Sequence, residues 1–497
     1  MGIIGKQTIK GSFFSYLGVA FGFITVGILW PSFLNPEEIG LINFLIAIST
    51  ILAHVGSLGI NSVCIRLFPY FRNKESRHHG FLLMALMFLS AGILIIFLYY
   101  FLFKARIIAN NAEKSFLVVR YAYFIVPFTI ATLLFNLFDN LHKVIYNAVI
   151  GVFMKEFVFR LLNLVLILLY AWLAFRFQLF LNIYFILFSI PALVLIILLY
   201  RTHQYNLSAD FGFIRKDLRK SIASVSLFGM IGGMGTVMIA NIDKIMINRL
   251  IDLEATGIYS IAFLFGAIIT LPSRSLSKIA TTIIAESWKS NDIETIKTIY
   301  SKSCLNQLIF SGLVFLLVWL NIDLVFQIIP LEYEAGKYVI LFMSIAGLVE
   351  MATGVNGLIL STSKYYRYQS LFIFFLLLLV ILTNWIFIPI FGITGAAIAS
   401  LLSTFIFNLV RAGFLYLKFR MQPFSYKFLI IIVLLLLSCL TGYYLQDLDS
   451  WLLRTVLISL SVIIIYLIPI LLLKLSVDIN NSLSNGYYQM IRWIRMP

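Results

Sequence analysis

Charged residues make up only 12% of this 497-residue chain, so those that interrupt its apolar stretches are the first candidates for chemistry. The stretch FMKEFVFRLLN, residues 153–163, contains Lys155, Glu156 and Arg160. Glu156 and Arg160 would share one face of a helix, whereas Lys155 would lie about 140° away from Arg160. A guanidinium braced by a carboxylate can bind an anion such as a diphosphate, although the same pair could be an internal ion pair that only fixes helix packing.

Single charges interrupt two further apolar stretches. Arg274 follows Pro272 in TLPSRSLSK. Because proline bends a helix, Arg274 could turn into a central cavity and bind the same anion, or it could extend to the membrane surface. Glu350, in LVEMATG, is the single carboxylate near the centre of its stretch. It could be the charge partner of a buried cation such as Arg160, bind a coupling proton or sodium ion, or form a structural ion pair.

The polar residues Asn241, Asp243 and Lys244 lie toward one end of another apolar stretch. We predict that they form a gate or contact at the interface of two lobes, with an ion pair near water as the alternative. No Ser-His-Asp, paired-carboxylate or metal-ligand arrangement occurs, and the three cysteines are far apart in sequence: Cys64, Cys304 and Cys439. We therefore expect no catalytic residue, no metal site, no cofactor and no disulfide.

The elements that carry these residues are too apolar for a soluble domain. The mean hydropathy is +1.00, and the chain contains 46 Phe. Runs of about 20 apolar residues can cross a membrane as helices. The net charge of +16 would suggest nucleic acid only on a soluble basic surface, so no nucleic-acid partner is expected. The apolar windows predict an all-α integral membrane protein with about fourteen transmembrane helices: 12–34, 38–63, 80–103, 117–138, 146–173, 179–200, 222–247, 254–280, 304–328, 335–362, 368–390, 393–417, 427–446 and 450–474.

The distribution of cations orients these helices. Cytoplasmic loops of membrane proteins hold most of the Lys and Arg residues. With the N-terminus inside, inner connections such as 66–77 and 215–220 are basic, whereas outer turns carry acidic residues such as Glu37 and Glu254. This alternation predicts an even number of spans, with the N-terminus and the C-terminus both cytoplasmic.

An internal repeat organises the chain. The pattern Glu37-x-x-Gly40 recurs 217 positions later as Glu254-x-x-Gly257, and the apolar windows recur with about the same offset. Six spans per repeat is an even number, so both copies should enter the membrane in one direction, related by a pseudo-two-fold axis along the membrane normal. We predict an N-terminal six-helix lobe (1–203), a cytoplasmic amphipathic linker (204–221), a C-terminal six-helix lobe (222–419), transmembrane helices 13 and 14 (420–474) and a cytoplasmic tail (475–497).

The acidic residues of the repeat are predicted to cap helices. Asn35, Pro36 and Glu38 supply an N-cap residue, a first-turn proline and a carboxylate three residues past the cap, which is the pattern of a capping box. Asp252 and Glu254 repeat this pattern less completely. Negative charge at these outer helix ends suits the helix dipole.

Two segments resemble a known family. NIDKIMINRLIDLEATGIYSIAFLF (241–265) and IFGITGAAIAS (390–400) resemble polysaccharide flippases, the O-antigen or Wzx-type translocases of the multidrug/oligosaccharidyl-lipid/polysaccharide (MOP) exporter superfamily. The resemblance covers the whole chain and implies a fold like that of multidrug and toxin extruders (MATE). It implies alternating-access transport of undecaprenyl-diphosphate-linked oligosaccharide across the bacterial inner membrane, without covalent chemistry, for surface polysaccharide such as the O-antigen of lipopolysaccharide. Lys155, Arg160 and Arg274 would then bind the diphosphate.

Other functions remain open at this point. A cation-coupled multidrug extruder or a lipid II flippase would have the same fold, but an extruder should offer more intramembrane carboxylates than this chain has. A membrane-embedded glycan polymerase or ligase should carry a larger outer loop. The expected partners are the lipid-linked oligosaccharide, membrane lipids, a coupling ion (H+ or Na+) and a glycan polymerase or ligase.

Overall fold

The computed structural model describes residues 3–73, 76–111, 115–145, 147–202, 207, 210–447 and 450–481. Regular structure in these ranges is helical, and the π-helices Phe23–Leu29, Phe153–Val158 and Ile463–Leu467 interrupt longer α-helices. The α-helices are α1 Ile3–Gly22, α2 Trp30–Phe33, α3 Pro36–Gly56, α4 Ile60–Phe71, α5 Phe81–Asn111, α6 Phe116–Tyr121, α7 Ile125–Val144, α8 Ala148–Val152, α9 Phe159–Leu173, α10 Phe177–Arg201, α11 Lys216–Ile239, α12 Ile242–Leu250, α13 Leu253–Ala267, α14 Leu271–Lys289, α15 Ile293–Leu320, α16 Ile322–Ile328, α17 Lys337–Ala352, α18 Asn356–Thr362, α19 Tyr366–Phe419, α20 Tyr426–Tyr444, α21 Trp451–Val462 and α22 Ile468–Leu472.

The helices are those of an integral membrane protein. Within the described ranges, twelve helical segments are long and apolar enough to cross a membrane. One of them, α19, is 54 residues long and therefore about 80 Å if straight, far more than a bilayer needs. The continuous helical stretch from Ala148 to Leu173 is not among the twelve but is also long enough to cross a membrane. The structure is thus consistent with the predicted fourteen spans.

The long helix α19 is two spans joined at a tight reversal. Gly392 has φ 60° and ψ −139°, a conformation open mainly to glycine. The hydroxyl oxygens of Thr383 and Ser403 are 3.1 Å apart across this point. Twenty residues of straight helix would separate them by about 30 Å, so the chain must fold back at Gly392.

The described residues pack into two compact units. Unit 1 comprises Met1–Ile261 and Asn384–Ile393, and unit 2 comprises Ala262–Thr383 and Thr394–Pro497. The core of unit 1 contains buried residues such as Phe138 and Leu195, and that of unit 2 contains residues such as Tyr300, Leu316 and Tyr466. These units are defined by packing, whereas the predicted lobes follow the sequence repeat, so the lobe boundaries stay a prediction.

The sequence repeat is visible inside unit 1 as a symmetric helix crossing. A Cβ atom added at Gly40 in α3 would clash with the carbonyl oxygen of Leu253, and one added at Gly257 in α13 would clash with that of Pro36. The shift of 217 residues that converts Gly40 into Gly257 also converts Pro36 into Leu253. The two equivalent helix starts therefore cross reciprocally, as expected for elements related by a pseudo-two-fold axis.

The predicted caps are confirmed. The carboxylate of Glu38 accepts a hydrogen bond of 3.0 Å from the backbone amide of Asn35, and Pro36 occupies the first turn of α3. Asp252 accepts a hydrogen bond of 2.7 Å from the amide of Ala255 at the start of α13. The acidic residues of the repeat are therefore used to begin helices.

Several predicted spans, including 38–63 and 222–247, run past the end of a helix. The window 38–63 continues past a break at Leu58 and Gly59, whose φ values are 46° and 77°. A Cβ atom at Gly59 would clash with the backbone of Ser226, so the glycine permits both the turn and a close helix approach. The window 222–247 likewise includes the end of α11 at Ile239. Hydropathy missed both breaks because apolar residues lie on either side of each one.

Candidate functional site

The candidate site of unit 1 begins with the packing of α1 against the stretch from Ala148 to Leu173. Gly18 and Gly22 form a GxxxG pattern, which lets two membrane helices approach closely. A Cβ atom at Gly18 would clash with the carbonyl group of Glu156, and one at Gly22 would lie 2.7 Å from Nη1 of Arg160. The two glycines therefore create the space that the charged side chains occupy.

Arg160 is held from two directions at the middle of its membrane helix. Its Nη2 lies 2.6 Å from Oε2 of Glu156, and its Nη1 donates a hydrogen bond of 2.8 Å to the carbonyl oxygen of Gly18. The side chains of Arg160 and Glu156 are 28% and 26% exposed. The predicted pairing of Glu156 with Arg160 is thus present, and it lowers the cost of placing a charge at mid-membrane, about 2.5–3.5 kcal/mol for an unpaired one.

Lys155 precedes Glu156 in the π-helix Phe153–Val158 and is exposed. Its Nζ lies 4.8 Å from the centre of the Phe135 ring. On α7, one turn from Phe135, Asp139 forms an ion pair of 2.5 Å with Lys143, and both interact electrostatically with Lys155. In the part of the chain that the structure describes, the ammonium group of Lys155 makes no hydrogen bond or ion pair. Lys155 is therefore an accessible cation that is not already paired, whereas the exposed Lys143 is paired with Asp139.

The cluster combines three cations with two carboxylates and so carries a net positive charge. Its members come from two helical segments of unit 1: Asp139, Lys143, Lys155, Glu156 and Arg160. π-helical turns occur frequently at functional sites. A braced guanidinium beside an accessible ammonium is an arrangement that can bind an anion such as a phosphate.

The predicted set Asn241, Asp243 and Lys244 belongs to unit 1 and divides among separate partners. The buried carboxylate of Asp243 accepts hydrogen bonds of 2.8 Å from the Tyr259 hydroxyl and 2.6 Å from the Asn384 amide. Lys244 donates a hydrogen bond of 3.1 Å to the side chain of Asn43 in α3. The side chain of Asn241 donates to the carbonyl oxygen of Val237. These contacts join α12 and its N-cap residue Asn241 to four other helical segments of unit 1. The gating role stays a prediction.

The remaining predicted residues belong to unit 2. Glu350 lies near the end of α17, is exposed, and interacts electrostatically with Arg411. Arg274 lies in α14, which begins beside Pro272 after the 3-10 turn Ile268–Thr270. Pro272 stands in the first turn of α14, and the bend predicted there stays a prediction. The side chain of Arg274 is outside the described part of the structure. The proposed roles of Glu350 and Arg274 stay predictions.

Sequence reasoning missed four members of the candidate site: Gly18 and Gly22 on α1, and Asp139 and Lys143 on α7. The GxxxG spacing in the first span was a readable signal for Gly18 and Gly22. The i,i+4 spacing of Asp139 and Lys143 also predicted an ion pair. Neither pattern indicates that the residues meet the stretch from Ala148 to Leu173, because that depends on tertiary packing.

The fold is that of a multi-helix membrane protein with charged residues inside its helices. The fold resembles MurJ, a lipid II flippase in an inward closed conformation, with 14% identity, 93% of this chain and 97% of that chain covered, and a TM-score of 0.73. It also resembles a multidrug resistance MATE transporter of the MOP superfamily in an inward-facing conformation (13% identity, 81% and 94% covered, TM-score 0.62) and in an outward-facing conformation (14%, 84% and 95%, 0.55).

The family is defined by sequence. The profile of the family described as polysaccharide biosynthesis protein matches residues 8–285, more than half of the chain. The protein therefore belongs to this family, and the resemblance seen in the sequence is confirmed, together with the MATE-like fold that it implied. Comparison with curated protein sequences gives no significant match.

Proposed function

We propose that this protein flips undecaprenyl-diphosphate-linked oligosaccharide across the bacterial inner membrane by alternating access, with both termini cytoplasmic. The observation that carries the proposal is the positive cluster around Arg160, which lies near the middle of its membrane helix. A diphosphate crossing the membrane needs cations inside the protein, and Lys155 and Arg160 supply them. Membership of a polysaccharide biosynthesis family supports a glycan-bearing lipid as the ligand.

Arg160 and Lys155 differ in their surroundings, and we propose that they act differently on the diphosphate. Arg160 is fixed by Glu156 and the Gly18 carbonyl group, so its guanidinium is preorganised. Lys155 is exposed and can follow the phosphate during transport. Arg274 is proposed as a further diphosphate ligand, and Glu350 as the site of a coupling ion or of a charge partner. A glycan polymerase or ligase would use the exported product, which for surface polysaccharide includes O-antigen.

Replacement of Arg160 tests this proposal. Arg160→Ala, expressed in a host that lacks its own glycan flippase, should abolish export of surface glycan because the preorganised donor is lost. Lys155→Ala should reduce export by about tenfold or more, the effect of losing about 1.4 kcal/mol of binding. Surface glycan is measured by immunoblot, and the membrane content of each variant is measured in parallel.

Arg176→Ala is the matched control, since Arg176 is an exposed arginine at the start of α10 in the same unit. It should export normally. Near-normal export by Arg160→Ala at equal protein level would remove Arg160 from the site. Rescue of a host depleted of its lipid II flippase, without rescue of glycan export, would assign the protein to peptidoglycan precursor instead.

A further inference from the structure

Unit 2 contains an accessible carboxylate that the proposed diphosphate site does not use. Glu350 lies in a membrane-spanning helix, and its side chain is exposed. Within the described residues, its carboxylate makes no hydrogen bond and no ion pair closer than 4 Å. A charge in a membrane helix normally faces a wet cavity and marks a functional site. Glu350 is therefore available to a ligand that can donate hydrogen bonds.

A preorganised cation accompanies Glu350. Nε of Arg411 donates a hydrogen bond of 3.2 Å to the side-chain oxygen of Gln369, and its guanidinium carbon lies 3.7 Å from the centre of the Phe407 ring. The same guanidinium covers Gly357, where a Cβ atom would lie only 3.2 Å from Nη1. These contacts fix the plane of Arg411, and the interaction with Glu350 is electrostatic.

A broken membrane helix holds this pair in place. Helix α17 ends at Ala352 and α18 begins at Asn356, with Gly354 between them at φ 56°. The buried side-chain oxygen of Asn408 accepts hydrogen bonds of 2.8 Å from Thr353 and 3.0 Å from Asn356, one on each side of the break. Discontinuous membrane helices commonly form ligand sites. Here the break lies three residues from Glu350, and Asn408 lies three residues before Arg411.

The chemistry of the pair selects a class of ligand. Glu350 and Arg411 together carry no net charge, so, unlike the net positive cluster around Arg160, the pair does not favour an anion or a cation over a neutral ligand. A hydroxyl group both donates and accepts hydrogen bonds, so a polyhydroxylated neutral ligand can satisfy the carboxylate and the guanidinium together. We infer that Glu350, Arg411 and Gln369 form a saccharide-binding site for the glycan of the transported lipid. This inference rests on the proposed function and adds to it the residues that recognise sugar.

Direct binding tests the inference on the full chain in detergent. The probes are free glucose, galactose, N-acetylglucosamine and glucuronic acid at millimolar concentration, detected by saturation-transfer-difference NMR. At least one neutral sugar should give a signal with the unmodified protein. Glu350→Gln and Gln369→Ala should lower that signal at least fivefold, and Arg411→Lys should do the same, because lysine cannot reproduce the fixed guanidinium plane.

Glu286→Gln and Arg420→Lys are matched controls, since both are exposed charged residues of unit 2 that are not members of the proposed site. They should keep the full signal. Each variant is compared at equal elution volume and melting temperature, and Gln369→Ala provides a neutral change if a charge variant misfolds. A signal absent from the unmodified protein, or equal in all variants, overturns the inference.

An export assay separates this inference from the proposed function. If the unmodified protein exports no glycan in any flippase-deficient host, the proposed function fails while the binding result stands by itself. If export succeeds, Glu350→Gln should change which glycans are exported. Loss of dependence on the proton or sodium gradient, with sugar binding intact, would make Glu350 a coupling carboxylate and overturn the saccharide site.

Discussion

Arg160 and Lys155 lie five residues apart but have different surroundings. The guanidinium of Arg160 contacts a carboxylate and a backbone carbonyl group, whereas the ammonium group of Lys155 rests over an aromatic ring and is exposed. A paired charge mainly fixes geometry, and an accessible one can move with a ligand. The distinction implies that Glu156 acts by positioning Arg160.

Removal of the Glu156 charge should therefore harm both folding and transport. Glu156→Gln leaves Arg160 with a neutral neighbour in the membrane, and we expect a loss of roughly 1–3 kcal/mol of stability with a fall in export. Melting temperature in detergent and surface glycan measure the two effects. Glu156→Asp, which keeps the charge, should restore part of both; equal behaviour of Gln and Asp would argue against the ion pair.

The approach of α1 to the charged helix depends on small residues. Gly22 leaves the space that the Arg160 side chain fills. Gly22→Leu should displace the guanidinium and cost about 1–3 kcal/mol, the usual range for overpacking. The melting temperature of the purified protein measures this. Gly232→Leu is the control, because a Cβ atom at Gly232 meets nothing within 4 Å. An equal loss of stability in both variants would mean that the loss does not come from the contact between Gly22 and Arg160.

The close crossing of α3 and α13 depends on one glycine from each repeat. Gly40→Ala and Gly257→Ala should each destabilise the protein by about 1–3 kcal/mol, because the new methyl group meets a backbone carbonyl group that cannot rotate away. By symmetry the two losses should be similar. Thermal unfolding in detergent measures them.

Gly413→Ala is the control for the Gly40→Ala and Gly257→Ala variants. Gly413 lies in α19 with nothing within 4 Å of an added Cβ atom, so alanine should raise stability by about 0.5–1 kcal/mol through helix propensity. Stabilisation by alanine at Gly40 or Gly257 as well would contradict a close crossing.

At the scale of the whole molecule, the proposed orientation has a direct test. Cysteines that replace Glu37 and Glu254 should react with a membrane-impermeant thiol reagent added outside intact cells, and cysteines that replace Lys74 and Lys216 should not. Glu37, Glu254 and Lys216 are exposed, while Lys74 lies outside the described residues.

The protein's own cysteines should react little with the thiol reagent. Cys64 and Cys304 are buried and Cys439 is half-buried, so a chain with Cys439→Ala should label weakly by itself. Labelling from outside at Lys216 but not at Glu254 would reverse the orientation. It would leave the fold unchanged, because both orientations preserve the same helix packing.

Local sequence patterns were enough to predict the helices and the pairings within them. Apolar runs of sufficient length must be membrane helices, and the spacing of Glu156 and Arg160 places them on one helix face, so both predictions needed only local geometry. The cap at Asn35 and Glu38 is likewise local. The 217-residue repeat gave the two-copy organisation, because recurrence of hydropathy does not depend on contacts.

Which helices meet, and where they break, depends on tertiary packing. The Gly18 carbonyl group reaches Arg160 across 142 residues, Asn384 reaches Asp243 across 141, and Gln369 reaches Arg411 across 42. No periodicity encodes such partners, since lipid-facing and protein-facing surfaces are equally apolar. The break at Gly354 and the reversal at Gly392 depend on backbone conformations that hydropathy cannot register. The charged residues were therefore identifiable from sequence, but their grouping into sites required the packed fold.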